Sequence, residues 1–106
     1  MRGDAELMDV RFRNSVLQRC YKEHKEGVKR WNKKVARLYV QRVNLLFACT
    51  STQDLSTFPQ LRFHPLKGDM KGRYAIDIDE SWRLIVSFDK TMQTVYIEEV
   101  SKHYGD

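Results

Sequence analysis

The apolar residues of this chain follow a helical period from about Val16 to Cys49 and a period of two after Pro59. Val28, Trp31, Val35, Leu38 or Tyr39, Val43 and Leu46 recur at the three- and four-residue steps that place side chains on one helix face. Beyond Pro59, Leu61 and Phe63 alternate with Arg62 and His64, and Tyr74, Ile76 and Ile78 alternate with Arg73, Ala75 and Asp77. Trp82, Leu84, Val86 and Phe88 then alternate with Arg83, Ile85 and Ser87. A chain that keeps its helices apart from its strands in this way is expected to fold as α+β, with helices on one face of an antiparallel sheet. At 106 residues it has room for one hydrophobic core. Residues 8–106 are read as a single domain, preceded by a flexible extension over residues 1–7.

Local signals place the elements. Asp9–Arg13 reads as a short strand with Val10 and Phe12 on one face. Ser15 and Gln18 form an S-x-x-Q capping box, which predicts a helix from Val16 toward Gly27, with the glycine as its stop. A second helix is expected over Trp31–Cys49, and two helices so close in sequence should form an antiparallel hairpin. Thr50–Gln60 is rich in Ser, Thr and Gln and reads as a connection. Four strands are predicted over Leu61–Leu66, Arg73–Asp79, Trp82–Phe88 and Val95–Val100, joined by links short enough for antiparallel pairing. The expected architecture is therefore an N-terminal strand, an antiparallel helix hairpin and a curled antiparallel four-stranded sheet.

The charge is unevenly spread. The chain carries +5 in total, yet Asp9–Cys49 holds eleven Lys and Arg against three carboxylates, whereas Thr50–Asp106 holds seven against nine. A basic patch of this size suits a polyanion. Arg30, Lys33, Lys34 and Arg37 recur at i, i+3, i+4 and i+7 and so share one helix face, which fits a nucleic-acid backbone or a solvated surface equally well. The longest apolar run, Leu45–Cys49, is five residues long, against the roughly 20 needed to cross a bilayer. No membrane contact or signal peptide is expected, and Cys20 and Cys49 read as reduced thiols of a cytoplasmic protein. No metal or cofactor is expected, because the cysteines and His24, His64 and His103 are too dispersed for ligand spacing. His24 reads as solvent-facing, and Trp31 and Trp82 as packing residues.

Nucleophile-elbow, phosphate-loop and zinc-protease motifs are absent. Glu98 and Glu99 are neighbours on a strand, so the period of two sends them to opposite faces and excludes a carboxylate dyad. What clusters instead is His64, Lys67, Lys71, Arg73 and Arg83, with His103 near the end of the last strand. Alternation puts Arg62, His64, Arg73 and Arg83 on the sheet face away from the helices. Imidazoles with guanidinium and ammonium groups can act on an RNA phosphodiester, because the RNA carries its own nucleophile, the 2′-hydroxyl.

The segment Phe63-His64-Pro65-Leu66-Lys67-Gly68-Asp69-Met70-Lys71-Gly72-Arg73, followed by Ser81-Trp82-Arg83-Leu84-Ile85, resembles the HigB-like branch of the RelE/ParE toxin superfamily. The resemblance spans roughly Val10 to His103, and its specific part lies in the second half. It implies a toxin of a type II toxin-antitoxin system that cuts mRNA on the ribosome, without metal, through 2′-hydroxyl attack. It also implies a cognate HigA-like antitoxin with a helix-turn-helix, the ribosome and mRNA as partners, and a free toxin that is a monomer.

Residue by residue, the resemblance implies that His103 or Lys67 is the base and that Arg83 and Arg73 stabilise the pentavalent phosphorus. His64 would position the strand or the leaving oxygen. Arg62, Lys71, Lys102, Arg30, Lys33, Lys34 and Arg37 are the expected RNA contacts. Ser101 and Lys102 stand where the family has aspartate and tyrosine, which leaves the acid and base assignments open. ParE-like gyrase inhibition and non-catalytic ribosome binding are the alternatives on the same fold.

Overall fold

The computed structural model describes residues 6–102. His103 and most of the predicted N-terminal extension lie outside them. The order is β1 (Asp9–Phe12), α1 (Ser15–Lys22), α2 (His24–Arg30), α3 (Lys33–Ala48), α4 (Thr52–Ser56), β2 (His64–Pro65), β3 (Arg73–Asp77), β4 (Trp82–Phe88) and β5 (Thr94–Lys102). Single 3-10 turns at Pro59–Leu61 and Gly68–Met70 flank β2. The architecture is the expected α+β one, with an open five-stranded sheet in the order β1-β5-β4-β3-β2. β1 joins its edge parallel to β5, with Val10 opposite Val95 and Phe12 opposite Ile97. The other three pairings are antiparallel.

The helical half departs from expectation in three places. Asn14, not Ser15, caps α1: its Oδ1 accepts from the Leu17 N–H at 2.9 Å. Asparagine caps at least as well as serine, so the cap moves by one residue. The first helix breaks at Glu23 and restarts as α2, so Gly27 lies inside a helix instead of ending one. The glycine is there for closeness, because a Cβ on it would meet the Ala36 Cβ at 2.9 Å. α3 begins two residues later than predicted, where Asn32 Oδ1 takes the Val35 N–H at 2.8 Å. Gly27 facing Ala36 and Tyr21 reaching Asn44 show that α3 runs back along the first two helices.

One face of the sheet meets the helices. Ile76, Ile78, Leu84, Val86, Val95 and Ile97 pack with Leu17, Val35, Tyr39, Val43 and Leu46, all nearly or fully buried. Burying an aliphatic side chain of this size contributes about 1.5–3 kcal/mol, so this layer dominates the stability. The Tyr39 hydroxyl in its midst donates to the Leu17 carbonyl at 2.7 Å, and its burial pushes its pKa up.

The sheet half departs in three places as well. The predicted connection Thr50–Gln60 holds the helical turn α4, tied by Asp54, which accepts from the Thr50 N–H at 2.7 Å. The predicted strand Leu61–Leu66 shrinks to β2, because Leu61 ends a 3-10 turn as a core residue and Arg62 is left-handed, with φ 44°. Glu98 and Glu99 do not point to opposite faces. Ile85 pairs with Glu99 and Val86 with Ile97, so Glu98 is an extra residue in a β-bulge. Both carboxylates reach Arg73, at 3.7 and 3.6 Å.

Candidate functional site

On the face away from the helices, strand register sets charged residues in rows. His64 of β2 lies opposite Ala75, which pairs with Ile85, which pairs with Glu99. One row further, Asp77 pairs with Arg83 and Arg83 with Ser101. The predicted grouping of His64, Arg73 and Arg83 on one face follows from these registers. Arg62 precedes β2 and joins the group through its side chain, an ion pair with Asp77 at 2.8 Å.

Two features aim the segment that carries His64. Phe63 stacks on Tyr74 with ring centroids 5.1 Å apart, and Tyr74 meets Phe88 edge-on at 5.3 Å, so the chain before β2 is anchored on the apolar side. After β2, the Leu66 N–H donates to the Arg73 carbonyl at 2.9 Å. The chain from Lys67 to Gly72 then folds over as one 3-10 turn with φ of +64° at Gly68 and +95° at Gly72. A Cβ at either glycine would touch nothing within 4 Å, so it is the backbone conformation that calls for glycine there.

The result is a cleft of about 480 Å³ lined by Arg62, His64, Pro65, Leu66, Lys67, Met70 and Arg83. Three cationic side chains and one imidazole surround an apolar patch made by Pro65, Leu66 and Met70. The cationic groups suit a phosphate, and the apolar patch suits the flat face of a base or ribose. Reasoning from charge alone missed Leu66 and Met70, although both sit within the motif segment itself.

The imidazole is held in one orientation by a backbone contact. His64 Nδ1 lies 2.6 Å from the Arg62 carbonyl oxygen. A carbonyl can only accept, so this contact calls for a proton on Nδ1 and leaves Nε2 as the ring atom not engaged by it. His64 is half-buried, while Lys67 is exposed at the rim.

The other predicted residues lie elsewhere. Arg73 shares the sheet face but does not line the cleft; it pairs with Glu98 and Glu99. Glu98 is the hub there, with a side chain 5% exposed, two hydrogen bonds from Arg13 at 3.0 and 2.8 Å, and one from the Ser87 hydroxyl. The Arg13 hydrogen bond holds its pKa below the ordinary value against the opposing pull of burial, and Ser87 and the charge of Arg73 add to it. Lys71 is exposed at the end of the glycine turn, and the Lys102 ammonium sits 5.4 Å from the Trp82 ring centroid. Lys33 and Arg37 are exposed on α3, and Lys34 leans toward Asp79 and Glu80 at 4.0 and 3.9 Å. Arg30 borders a different depression, with Trp31 and Val100.

The family model described as RelE-like toxin of type II toxin-antitoxin system HigB matches residues 10–100. No curated protein matches the chain. Among solved structures, YafQ from E. coli superposes with a TM-score of 0.59 at 16% identity, covering 91% of this chain and 93% of that one. The YoeB/ParE toxin from Agrobacterium tumefaciens does so with a TM-score of 0.56 at 20% identity, covering 92% and 100%. The E. coli DinJ-YafQ toxin-antitoxin complex gives 0.60 at 17% identity, covering 92% and 94%. At these identities the likeness to the solved structures is one of fold.

Proposed function

The chain belongs to the HigB-like family of RelE-like toxins of type II toxin-antitoxin systems, and from that premise we propose that it is a ribosome-dependent endoribonuclease that halts translation by cutting mRNA. The observation that carries this reading is the convergence of Arg62, His64, Lys67 and Arg83 on one cleft with an apolar patch. A gyrase-blocking relative would have no need to gather an imidazole and three cations around a space of nucleotide size.

In the proposed reaction, a base removes the proton of the ribose 2′-hydroxyl, and the 2′-oxygen forms a bond to phosphorus. The bond from phosphorus to the 5′-oxygen breaks, and that oxygen takes up a proton. The products are a 2′,3′-cyclic phosphate and a 5′-hydroxyl. His64 gives the leaving oxygen its proton from Nε2 when the ring carries both protons, while Nδ1–H stays on the Arg62 carbonyl. Lys67 or His103 takes the 2′-proton. Arg83, with Arg62 beside it, stabilises the charge that grows on the phosphoryl oxygens. Arg73, which does not line the cleft, takes a secondary place.

The exposed cations Arg30, Lys33, Lys34 and Arg37, with Lys71 and Lys102, hold ribosomal RNA or mRNA backbone. The toxin acts in the cytoplasm, where ribosomes are, and among the described residues no helix is long and apolar enough to cross a membrane. A cognate antitoxin neutralises it, as the pairing of YafQ with DinJ in the solved toxin-antitoxin complex suggests.

The test is the mapping of mRNA 5′ ends in a bacterial translation extract, with and without ribosomes, for wild type and Arg83→Ala. New 5′-hydroxyl ends at decoding-site codons, present only with ribosomes and lost in the variant, are the expected result. Efficient cutting of naked mRNA would overturn the ribosome requirement. No cutting at any protein concentration would overturn the nuclease reading.

A further inference from the structure

The proposed chemistry gives Asp77 no task, yet its carboxylate is tied to a cleft residue. Arg62 Nε donates to Asp77 Oδ2 at 2.8 Å and Arg62 Nη2 to Oδ1 at 3.4 Å, a two-point contact. Asp77 is itself held from behind. Arg42, reaching across from α3, donates to the Asp77 carbonyl at 2.8 Å and to the Ile78 carbonyl at 3.2 Å. Register adds a third constraint, pairing Asp77 with Arg83 across the strands.

Arg62 is the residue that this anchor restrains. Its backbone is left-handed, with φ 44° and ψ 45°. Side chains rarely adopt that conformation, and it persists where the surroundings over-determine it. Here it is fixed at one end by its N–H, which donates to the Pro59 carbonyl at 3.1 Å, and at the other by the Asp77 contact. The same conformation presents the Arg62 carbonyl to His64 Nδ1 at 2.6 Å. A continuous path therefore runs from the Asp77 carboxylate, through the Arg62 side chain and backbone, to the imidazole.

We propose that Asp77 is a positioning residue, which acts through Arg62 to lock His64 in the Nδ1–H tautomer with Nε2 turned to the cleft. Its consequence for cleavage rests on the endoribonuclease reading; the tautomer is a property of the free protein and does not. Without the carboxylate, Arg62 loses its two-point contact with β3 and the strained backbone is less tightly held. The carbonyl then leaves Nδ1, and the ring shifts toward the Nε2–H tautomer that a histidine side chain prefers in water. This places a function upon a carboxylate on the strand beside the cleft, in a chain where Ser101 stands in place of the family's terminal aspartate.

The test combines nitrogen-15 NMR of the His64 ring with cleavage kinetics for wild type, Asp77→Asn, and Asp77→Asn combined with Arg62→Gly. Thermal unfolding of each protein confirms that it is folded. In wild type, Nδ1 should give the shift of a protonated ring nitrogen and Nε2 that of an unprotonated one. Asp77→Asn should move both toward the opposite tautomer and lower kcat by about 10- to 100-fold, the range seen for groups that orient a metal-bound imidazole. Glycine adopts the left-handed backbone freely, so the double variant should regain the wild-type ring shifts. A folded Asp77→Asn protein with unchanged ring shifts overturns the proposal, and so does a wild type whose neutral ring carries its proton on Nε2. Ring shifts that respond as expected in a protein that cuts no mRNA sustain the positioning role and overturn the nuclease reading.

Discussion

Two arginines on the same sheet face illustrate how much depends on what a side chain touches. Arg83 lines the cleft, whereas Arg73 is drawn to Glu98 and Glu99 beyond it. Arg83→Ala is expected to lower kcat for ribosome-dependent cleavage by about 10²- to 10³-fold, the usual cost of losing one donor to transition-state charge. Arg73→Ala should leave most of the activity in place and cost at most about 1 kcal/mol in denaturant unfolding, as a partly exposed ion pair does. Equal losses of activity in two folded variants would show that Arg73 leaves its carboxylates to join the reaction. Tyr39 gives a stability test away from the site. Tyr39→Phe removes the buried hydroxyl bond to the Leu17 carbonyl and should cost about 1 kcal/mol, read from the urea midpoint at unchanged slope.

At the scale of elements, the hydrophobic period located the helices and strands, while their ends were settled by single contacts. The stripe on α3 stands in the structure as the sequence predicts, and Ile76, Leu84 and Val86 join the core as alternation requires, but Ala75 and Ile85 are buried on the opposite face too. Gly27 shows the limit of local reading. A glycine after a helical run is an ordinary stop signal, yet here it sits in α2 because a second helix comes close to it. Gly27→Ala is therefore a contest between helix propensity, which favours alanine by about 1 kcal/mol, and overpacking, which costs about 1–3 kcal/mol. The 2.9 Å approach to Ala36 Cβ, an atom that cannot rotate away, decides it, and thermal unfolding should show net destabilisation. Ala36→Gly in the same chain should restore part of the loss by making room. The bulge at Glu98 was equally hidden, since it depends on the register of β4 against β5.

At the scale of the molecule, Glu98 joins parts that are far apart in sequence: Arg13 after β1, Arg73 of β3 and Ser87 of β4. Its folded pKa is depressed, so its contribution to stability is fully present above the unfolded glutamate value of about 4.3 and is lost as pH falls through the lower folded value. Unfolding followed from pH 7 downward should therefore show a fall in stability below about pH 5 that is smaller in Glu98→Gln. The basic helix face is a long-range feature of a different kind. If Lys33 and Arg37 each meet a phosphate, replacing both with alanine should reduce the slope of log affinity for ribosomes against log salt by about 2. An unchanged slope would assign that face to solvent or to the antitoxin.

The sequence by itself determined the class of fold, the family and most of the cleft. These depend on period, on glycine punctuation and on one contiguous run, His64–Arg73, so that His64, Lys67 and the glycine turn are encoded within a few residues of each other. Arg83 could be added because strand alternation is a local rule. Tertiary structure alone decided which cations remain at the cleft, that the Asp77 carboxylate pairs with Arg62 beside it, and that the Arg62 carbonyl meets His64 Nδ1. Those outcomes follow from strand register, a bulge and a single left-handed residue. Each is set by contacts between residues distant in the chain, and a pattern of neighbours does not carry that information.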